Sequence, residues 1–334
     1  MFKCPQCGKY TDLSQCAYCG FTFAKMDDIY QLTEDPGLNL DGGKGVKYLG
    51  YDRVGPYFSG RRRLECDPAG MAVAGRVAEL ADWGTILDLG CGDGRLAVPL
   101  ALQGCTVIAG DISQVMLCLM LEKARHNQVL PTRLIPCRMN ALSIPLADNS
   151  VAGALAVSIL HLISEPLLVI RELYRVIKPG GKLFIMGNSP GLPKEVAEEL
   201  KALNQEYEQR VNAFHRRYWE LITEAGVQAT RYSWEFDQHA ACAAIFGNHT
   251  EIKIDFFRRD KETMADYFLY RLGGKGFSDQ QGVPDELHEQ VFARVVREFR
   301  EQYGPDFDQI TYATVTDGLT LHYFEKESEQ RRPL

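Results

Sequence analysis

Between residues 85 and 187 the chain alternates short apolar runs with longer stretches of helical periodicity. Residues 85–89, 106–110, 134–137, 151–157 and 182–187 each read as a strand. The run 151–157 is almost wholly apolar, as expected of a strand buried on both faces. Residues 68–81 carry Ala, Val and Leu at helical spacing, and helices are expected over 94–103, 113–127 and 164–177. Ser113 stands where an N-cap belongs. Pro179-Gly180-Gly181 should stop the fourth helix. Strands alternating with helices imply parallel pairing in a doubly wound α/β sheet, and right-handed crossovers place helices on both faces.

The pattern weakens after residue 188. Residues 195–226 read as one or two helices, 228–236 as a strand, and 261–272 and 284–303 as helices. Residues 310–325 resemble two alternating strands joined at Asp317-Gly318, a hairpin dipeptide. Such a pair would finish one edge of a parallel sheet. Four segments follow: a cysteine-rich head (1–26), a lid or linker (27–65), the alternating core (66–188), and a helical elaboration with terminal strands (189–334).

Composition changes this picture little. Of 334 residues, 46% are apolar and 24% charged, which is ordinary for a globular chain. No apolar run is long enough to span a bilayer, and the first residues lack the apolar core of a signal peptide. A cytoplasmic protein without membrane contact is therefore expected. The net charge of −7 argues against a broad phosphate-binding surface. The basic runs Arg61-Arg62-Arg63, Arg216-Arg217 and Arg258-Arg259 read as solvated faces. Ten cysteines are present. Those outside the head (Cys66, Cys91, Cys105, Cys118, Cys137, Cys242) read as small buried hydrophobes.

The sharpest chemical signal is Asp88-Leu89-Gly90-Cys91-Gly92-Asp93-Gly94 at the end of the first core strand. Glycines there allow a tight turn and close approach of a ligand, and the helix that follows offers its N-terminal dipole. Asp111 ends the second core strand, where a carboxylate can accept hydrogen bonds from ribose hydroxyls. A nucleoside ligand follows from this placement.

The spacing G-x-G-x-G, rather than the G-x-G-x-x-G of dinucleotide sites, resembles class I S-adenosylmethionine-dependent methyltransferases with a UbiE-like, type 11 core. The resemblance runs through residues 85–188. It implies a Rossmann-like methyltransferase fold and S-adenosylmethionine as cofactor. It also implies that Asp88 lies near the methionine amino group, with Gly90, Gly92 and Gly94 forming the loop. Asp111 would hold the ribose, Ile112 would lie beside the adenine, and Asn140-Ala141 would reach the adenine amino group, where the family often has Asp-Ala. Cys91 and Ser158 complete the candidate cofactor-binding set. Residues 144–150 and 175–183 look like the family's loop before the fourth strand and its turn into the fifth.

Methyl transfer needs the acceptor in line with the carbon–sulfur bond, so positioning supplies much of the rate. His161, just past the fourth core strand, is a candidate base or a packing histidine. Tyr48, Tyr51, Tyr57 and Phe58 form a candidate aromatic lid, with Tyr57 the candidate catalytic member; packing against the core is the alternative. The Asn/Asp-Pro-Pro-Tyr motif of some amino-group methyltransferases is absent.

Cys4, Cys7, Cys16 and Cys19 form two C-x₂-C knuckles eight residues apart, each followed by glycine. Four thiolates in this spacing resemble a zinc ribbon and imply structural Zn²⁺, with redox-active pairs as the alternative. A zinc head before a methyltransferase core also resembles ribosomal RNA guanine-N1 methyltransferases, whose fourth ligand is usually histidine. The head therefore has two readings, RNA binding or a structural cap or homodimer contact, and the second is favoured. A small-molecule acceptor is expected ahead of a structured RNA. A non-catalytic cofactor-binding scaffold is the third reading.

Overall fold

The computed structural model describes residues 2–4, 6–33, 64–163, 165–186, 191–228, 236–280 and 282–328. The described core is a nine-stranded sheet. Its parallel centre comprises β5 (Thr85–Leu89), β6 (Thr106–Asp111), β7 (Leu134–Arg138), β8 (Val151–Leu155) and β9 (Ile177–Met186). β5 pairs in parallel with both β6 and β8, so the winding direction reverses between them. Ligands of doubly wound sheets bind in the crevice that such a reversal opens at the carboxyl ends of the strands.

Helices cover both faces because successive strand residues point to opposite sides. Ile86 packs with Val73 and Val77 of α1 (Pro68–Leu80), Leu100 of α2 (Ala97–Leu102) and Leu117 of α3 (Gln114–His126). Leu87 belongs to the opposite layer, with Val169 and Leu173 of α4 (Pro166–Val176) and Phe246 of α6 (Gln238–Phe246). Between α4 and α6 in the chain lies α5 (Lys194–Glu224), one unbroken helix of 31 residues. Asp67 caps α1 and Ser113 caps α3 through their side chains.

The head contains β1 (Phe2–Lys3) and β2 (Tyr10–Thr11), paired antiparallel. It is docked on the core: Phe2 bridges Leu146, and Lys3 N–H donates to the Pro145 carbonyl at 2.9 Å. After it, β3 (Lys25–Met26) and β4 (Ile29–Gln31) extend the sheet, with β4 parallel to β7. The segment following the head thus begins as sheet.

Several expectations are corrected. α2 begins at Ala97 rather than 94, because the glycine turn occupies the residues before it. β9 starts at Ile177, ahead of the Pro-Gly-Gly sequence, where Ile177 pairs with Val151. Residues 261–272 are not one helix. β10 (Thr250–Thr263) runs to residue 263, and a π turn (Ala265–Leu269) and a short α7 (Tyr270–Gly273) follow. α6 had no sequence forecast. α8 is Asp285–Tyr303. The strand expected at 228–236 lies almost wholly outside the described residues.

The hairpin at Asp317-Gly318 does not form. β11 (Thr311–Glu325) passes straight through it and pairs with β10 on one side and β9 on the other. Leu319 stands opposite Ile254 and Asp317 opposite Phe257, so two β10 residues bulge against Gly318, whose φ is +78°. The left-handed glycine bends the ribbon instead of reversing it. Only Leu321–Glu325 of β11 pair with β9, beginning at Met186 on the carboxyl end of that strand. The earlier half of β11, with its β10 partner, therefore projects beyond the carboxyl ends of the parallel strands.

That projection rests on α5 through Asn204, which is 3% exposed. Asn204 Nδ2 donates to the Ala313 carbonyl at 2.7 Å, and its Oδ1 accepts the Ala313 N–H at 2.8 Å. Replacing the amide strands both backbone groups. Asn204→Ala should lose about 2 kcal/mol of stability in urea unfolding; a midpoint matching the parent would show that the amide is dispensable.

Candidate active site

Beyond β5 the chain turns away through Gly90, Gly92 and Gly94, with φ of +71°, +54° and +80°. Two of these positions also exclude a side chain by contact. A Cβ on Gly90 would lie 2.5 Å from Ile159 Cδ1, and one on Gly94 would lie 2.5 Å from Met120 Cγ. Gly92 has room and is required by its backbone angle alone.

The loop amides are largely consumed by the protein. Gly90 and Cys91 N–H donate to the Gly110 carbonyl at 2.7 and 3.1 Å, and Gly94 N–H donates to Cys91. Gly92 N–H donates to Asp111 Oδ2 at 2.9 Å, while Asp111 Oδ1 accepts from Ser113 N–H at 2.9 Å. The loop is thereby tied to the end of β6, and the Asp111 carboxylate is fixed where it lines the crevice.

The crevice is a cavity of about 650 Å³, within the ordinary range for a small-molecule site. Asp88, Gly90, Cys91, Gly92, Asp111, Ile112, Asn140, Ala141 and Ser158 all line it. Gly94 does not; it packs behind the loop. Asn140 Oδ1 already accepts the Leu142 N–H at 2.9 Å, which leaves it one further lone pair. Ser158 holds a left-handed φ of +58°, an uncommon conformation for a non-glycine residue. Such local strain concentrates at ligand-binding sites.

Asp88 is 3% exposed. Burial raises its pKa to about 7; Arg95 opposes the rise, Asp111 adds to it, and the Ala97 N–H opposes it. Burial, followed by the Asp111, Asp88 and Asp93 charges, holds the Cys91 thiol well above its usual range, so it stays protonated and is no nucleophile.

Several lining groups carry no local signal in the sequence. Lys123 Nζ meets Asp93 Oδ2 at 2.7 Å, with side chains only 6% and 11% exposed. These residues are far apart in the chain and join only because α3 packs beside the loop. Arg258, Asp260, Glu262 and Tyr267 close the outer side. Arg258 bridges to Asp67 at 2.6 Å and to Asp260 at 2.5 Å, so the projecting ribbon is pinned to the N-cap of α1. From residue 252 to 260, alternate positions of β10 point inward. That period of two was available in the sequence, but Lys261-Glu262 and the residues beyond favoured a helical reading.

His161 sits in a short 3₁₀ turn (Leu160–Leu162) and is partly buried, and burial lowers its pKa. Ile159, Leu162 and Ile163 line the cavity, whereas His161 is not among the lining residues. Tyr57 and the other lid aromatics, Tyr48, Tyr51 and Phe58, lie outside the described residues.

In the head, Sγ of Cys4 is 3.7 Å from that of Cys19, and Sγ of Cys7 is 3.6 Å from that of Cys16. All four sulfurs lie within 4.8 Å of one another. Gly8 and Gly20 hold φ of +71° and +75° and donate N–H to the Cys4 and Cys16 carbonyls, closing each knuckle.

The arrangement is a crevice at the switch point of a doubly wound α/β sheet, lined by a glycine turn and a fixed carboxylate. Residues 87–185 match the family described as a methyltransferase domain. Ubiquinone biosynthesis O-methyltransferase of Pseudomonas putida is 32% identical over 100 residues, covering 30% of this chain and 42% of that one. The ubiquinone/menaquinone biosynthesis C-methyltransferase UbiE of Pseudoalteromonas translucida is 36% identical over 104 residues, covering 30% and 41%. An uncharacterized methyltransferase of Mycobacterium tuberculosis is 35% identical over 104 residues, covering 31% and 40%. The matches thus span about two fifths of these relatives' length.

The raised pKa of Asp88 has a defined effect on stability. A carboxyl that is harder to ionise when folded costs nothing below its unfolded pKa. The cost grows as pH rises from about 4 to about 7 and is full above that. Asp88→Asn should therefore raise the melting temperature of the ligand-free protein at pH 8 and much less at pH 4.5. Equal shifts at the two pH values would rule out burial of this charge as the cause.

Proposed function

We propose that the chain is an S-adenosylmethionine-dependent methyltransferase acting on a small-molecule acceptor. The observation that carries this reading is the Asp111 carboxylate, fixed by Gly92 and Ser113 N–H groups beside a glycine turn at the sheet's switch point. The residues present fit the cofactor's chemistry. Asp111 is a ribose acceptor, Ile112 and Ala141 offer apolar surface for a purine, and Asn140 offers a donor and an acceptor. Buried Asp88, costly as a lone carboxylate, is suited to an ammonium partner that draws its pKa down. When bound, S-adenosylmethionine supplies an electrophilic methyl group on sulfonium sulfur. The chain's task is then to orient an acceptor and exclude water, with the Arg258–Asp67 bridge closing the outer side. His161 is the candidate to take a proton from the acceptor: burial lowers its pKa, and it stands between the lining residues Ile159 and Leu162 without lining the cavity itself.

The charge of the crevice supports a small molecule over RNA. Its lining carries seven carboxylates against three cations, and both Lys123 and Arg258 are already paired with acids. Such a wall repels phosphates. The quinone-biosynthesis names of the relatives point the same way.

The same reading assigns Zn²⁺ to Cys4, Cys7, Cys16 and Cys19, four thiolates converging on one point. Among the described residues the head's own apolar cluster has Cys4, Cys16 and Phe23 as its buried members, too few to hold it together without a metal. Its docking through Phe2 and Lys3 favours a structural cap on the sheet.

Asp111→Ala should weaken S-adenosylmethionine binding at least about 10-fold by calorimetry, the scale of losing one to two charge-assisted hydrogen bonds. Binding of a nicotinamide or flavin in its place would refute the cofactor assignment. His161→Ala should slow methyl transfer and leave cofactor affinity unchanged; an unaltered rate removes the base. Labelled methyl groups from the cofactor, incubated with cell extract, should appear in the small-molecule fraction. Label confined to RNA would support the guanine-N1-type reading, and no label at all would leave a cofactor-binding scaffold.

A further inference from the structure

Three of the chain's seven histidines meet far from one another in sequence. His239 comes from the first turn of α6, His249 from the turn before β10, and His322 from β11. One ring nitrogen of each lies within 4.8 Å of the others. His249 Nε2 and His322 Nδ1 are 2.8 Å apart and share a proton. The His239 and His322 rings meet edge to face at 4.4 Å. His249 is also stacked on Phe324 at 4.9 Å with an interplanar angle of 13°, so the most exposed of the three rings is held against a buried support. None of these residues lines the crevice, and the family-matched segment ends before all three.

We propose that His239, His249 and His322 form a second metal site, for a divalent transition ion of the zinc class. Imidazole nitrogen suits Zn, Cu, Ni and Fe, and three histidines with one open position is an established donor set for zinc. One hydrogen bond and ring contacts leave much of the trio's donor capacity directed at one point. To ligate, His249 Nε2 and His322 Nδ1 must both present lone pairs. The proton between them therefore moves to the far nitrogen of the ring that carries it, with no change in net charge. His249 is exposed, so the fourth position opens to water. Glu251 stands directly across from His322 in the β10–β11 register and adds a carboxylate on the same face.

The ion would clamp the start of α6 and the start of β10 to β11. It would thus fix the base of the ribbon whose far half carries Arg258 and Asp260 into the crevice.

The test is a titration of the chelator-stripped full-length protein with Co²⁺, monitored by absorption and by metal content after gel filtration. An ion on the head's cysteines shows thiolate-to-cobalt charge transfer, and an ion on three imidazoles does not. The wild type should bind one ion per chain without that band. His322→Ala and His249→Ala should each lower affinity for this ion by about 100-fold or more, beyond the loss typical of a supporting residue. The head's charge-transfer band should persist in both variants. His249→Ala changes an exposed turn, so it reports on the site even if His322→Ala disturbs the strand; circular dichroism checks the fold of each. Absence of any ion lacking the band in the wild type, or either folded variant holding it at wild-type affinity, overturns the proposal.

Discussion

The bond from Gly92 N–H to the Asp111 carboxylate is the contact on which the crevice depends. It joins the turn after β5 to the end of β6. With the two amides donated to Gly110, it fixes the loop's path without any ligand. The glycines make that path possible, since a Cβ at Gly90 or Gly94 would collide with Ile159 or Met120. The same contact aims Asp111 while spending two backbone donors to hold it. A site preorganised in this way loses little freedom on binding.

Around this point the protein keeps acids in unlike environments. Asp93 is neutralised by a buried lysine, Asp67 by Arg258, and Asp111 by backbone donors. At Asp88 burial outweighs Arg95 and the Ala97 N–H and raises the pKa to about 7. Burial makes the Asp88 charge costly, so a cation placed beside it would draw its pKa down.

The additions at the two ends of the core act on the sheet in different ways. The segment after the head adds β4 beside β7, and the head itself bridges to the loop before β8. The C-terminal ribbon adds β11 beside β9 and then overshoots it, so one continuous strand pair both finishes the sheet and walls the crevice. α5 and α8 pack together around Phe214 and Tyr218 and support that overshoot. The bulge opposite Gly318 lets the ribbon bend over the strand ends.

The sequence by itself determined the parallel core, the places of its strands, the cap at Ser113, and the glycine turn with Asp111. Each rests on local rules: period, capping and backbone freedom. It also determined the cysteine knuckles, because their glycines and spacing are contiguous. The tertiary structure decided what pairs with what. Asp317-Gly318 reads as a reversal locally, yet the partner of β11 is a strand some sixty residues upstream, and pairing with it on one side and β9 on the other keeps β11 extended. Arg258 and Asp260 were legible only as charges, and Lys123 only as a helix residue, until packing set them beside Asp67 and Asp93. The three histidines were equally silent, because no periodicity links positions 239, 249 and 322. Local propensity has no term for distant partners, and the outer half of the crevice is made of them.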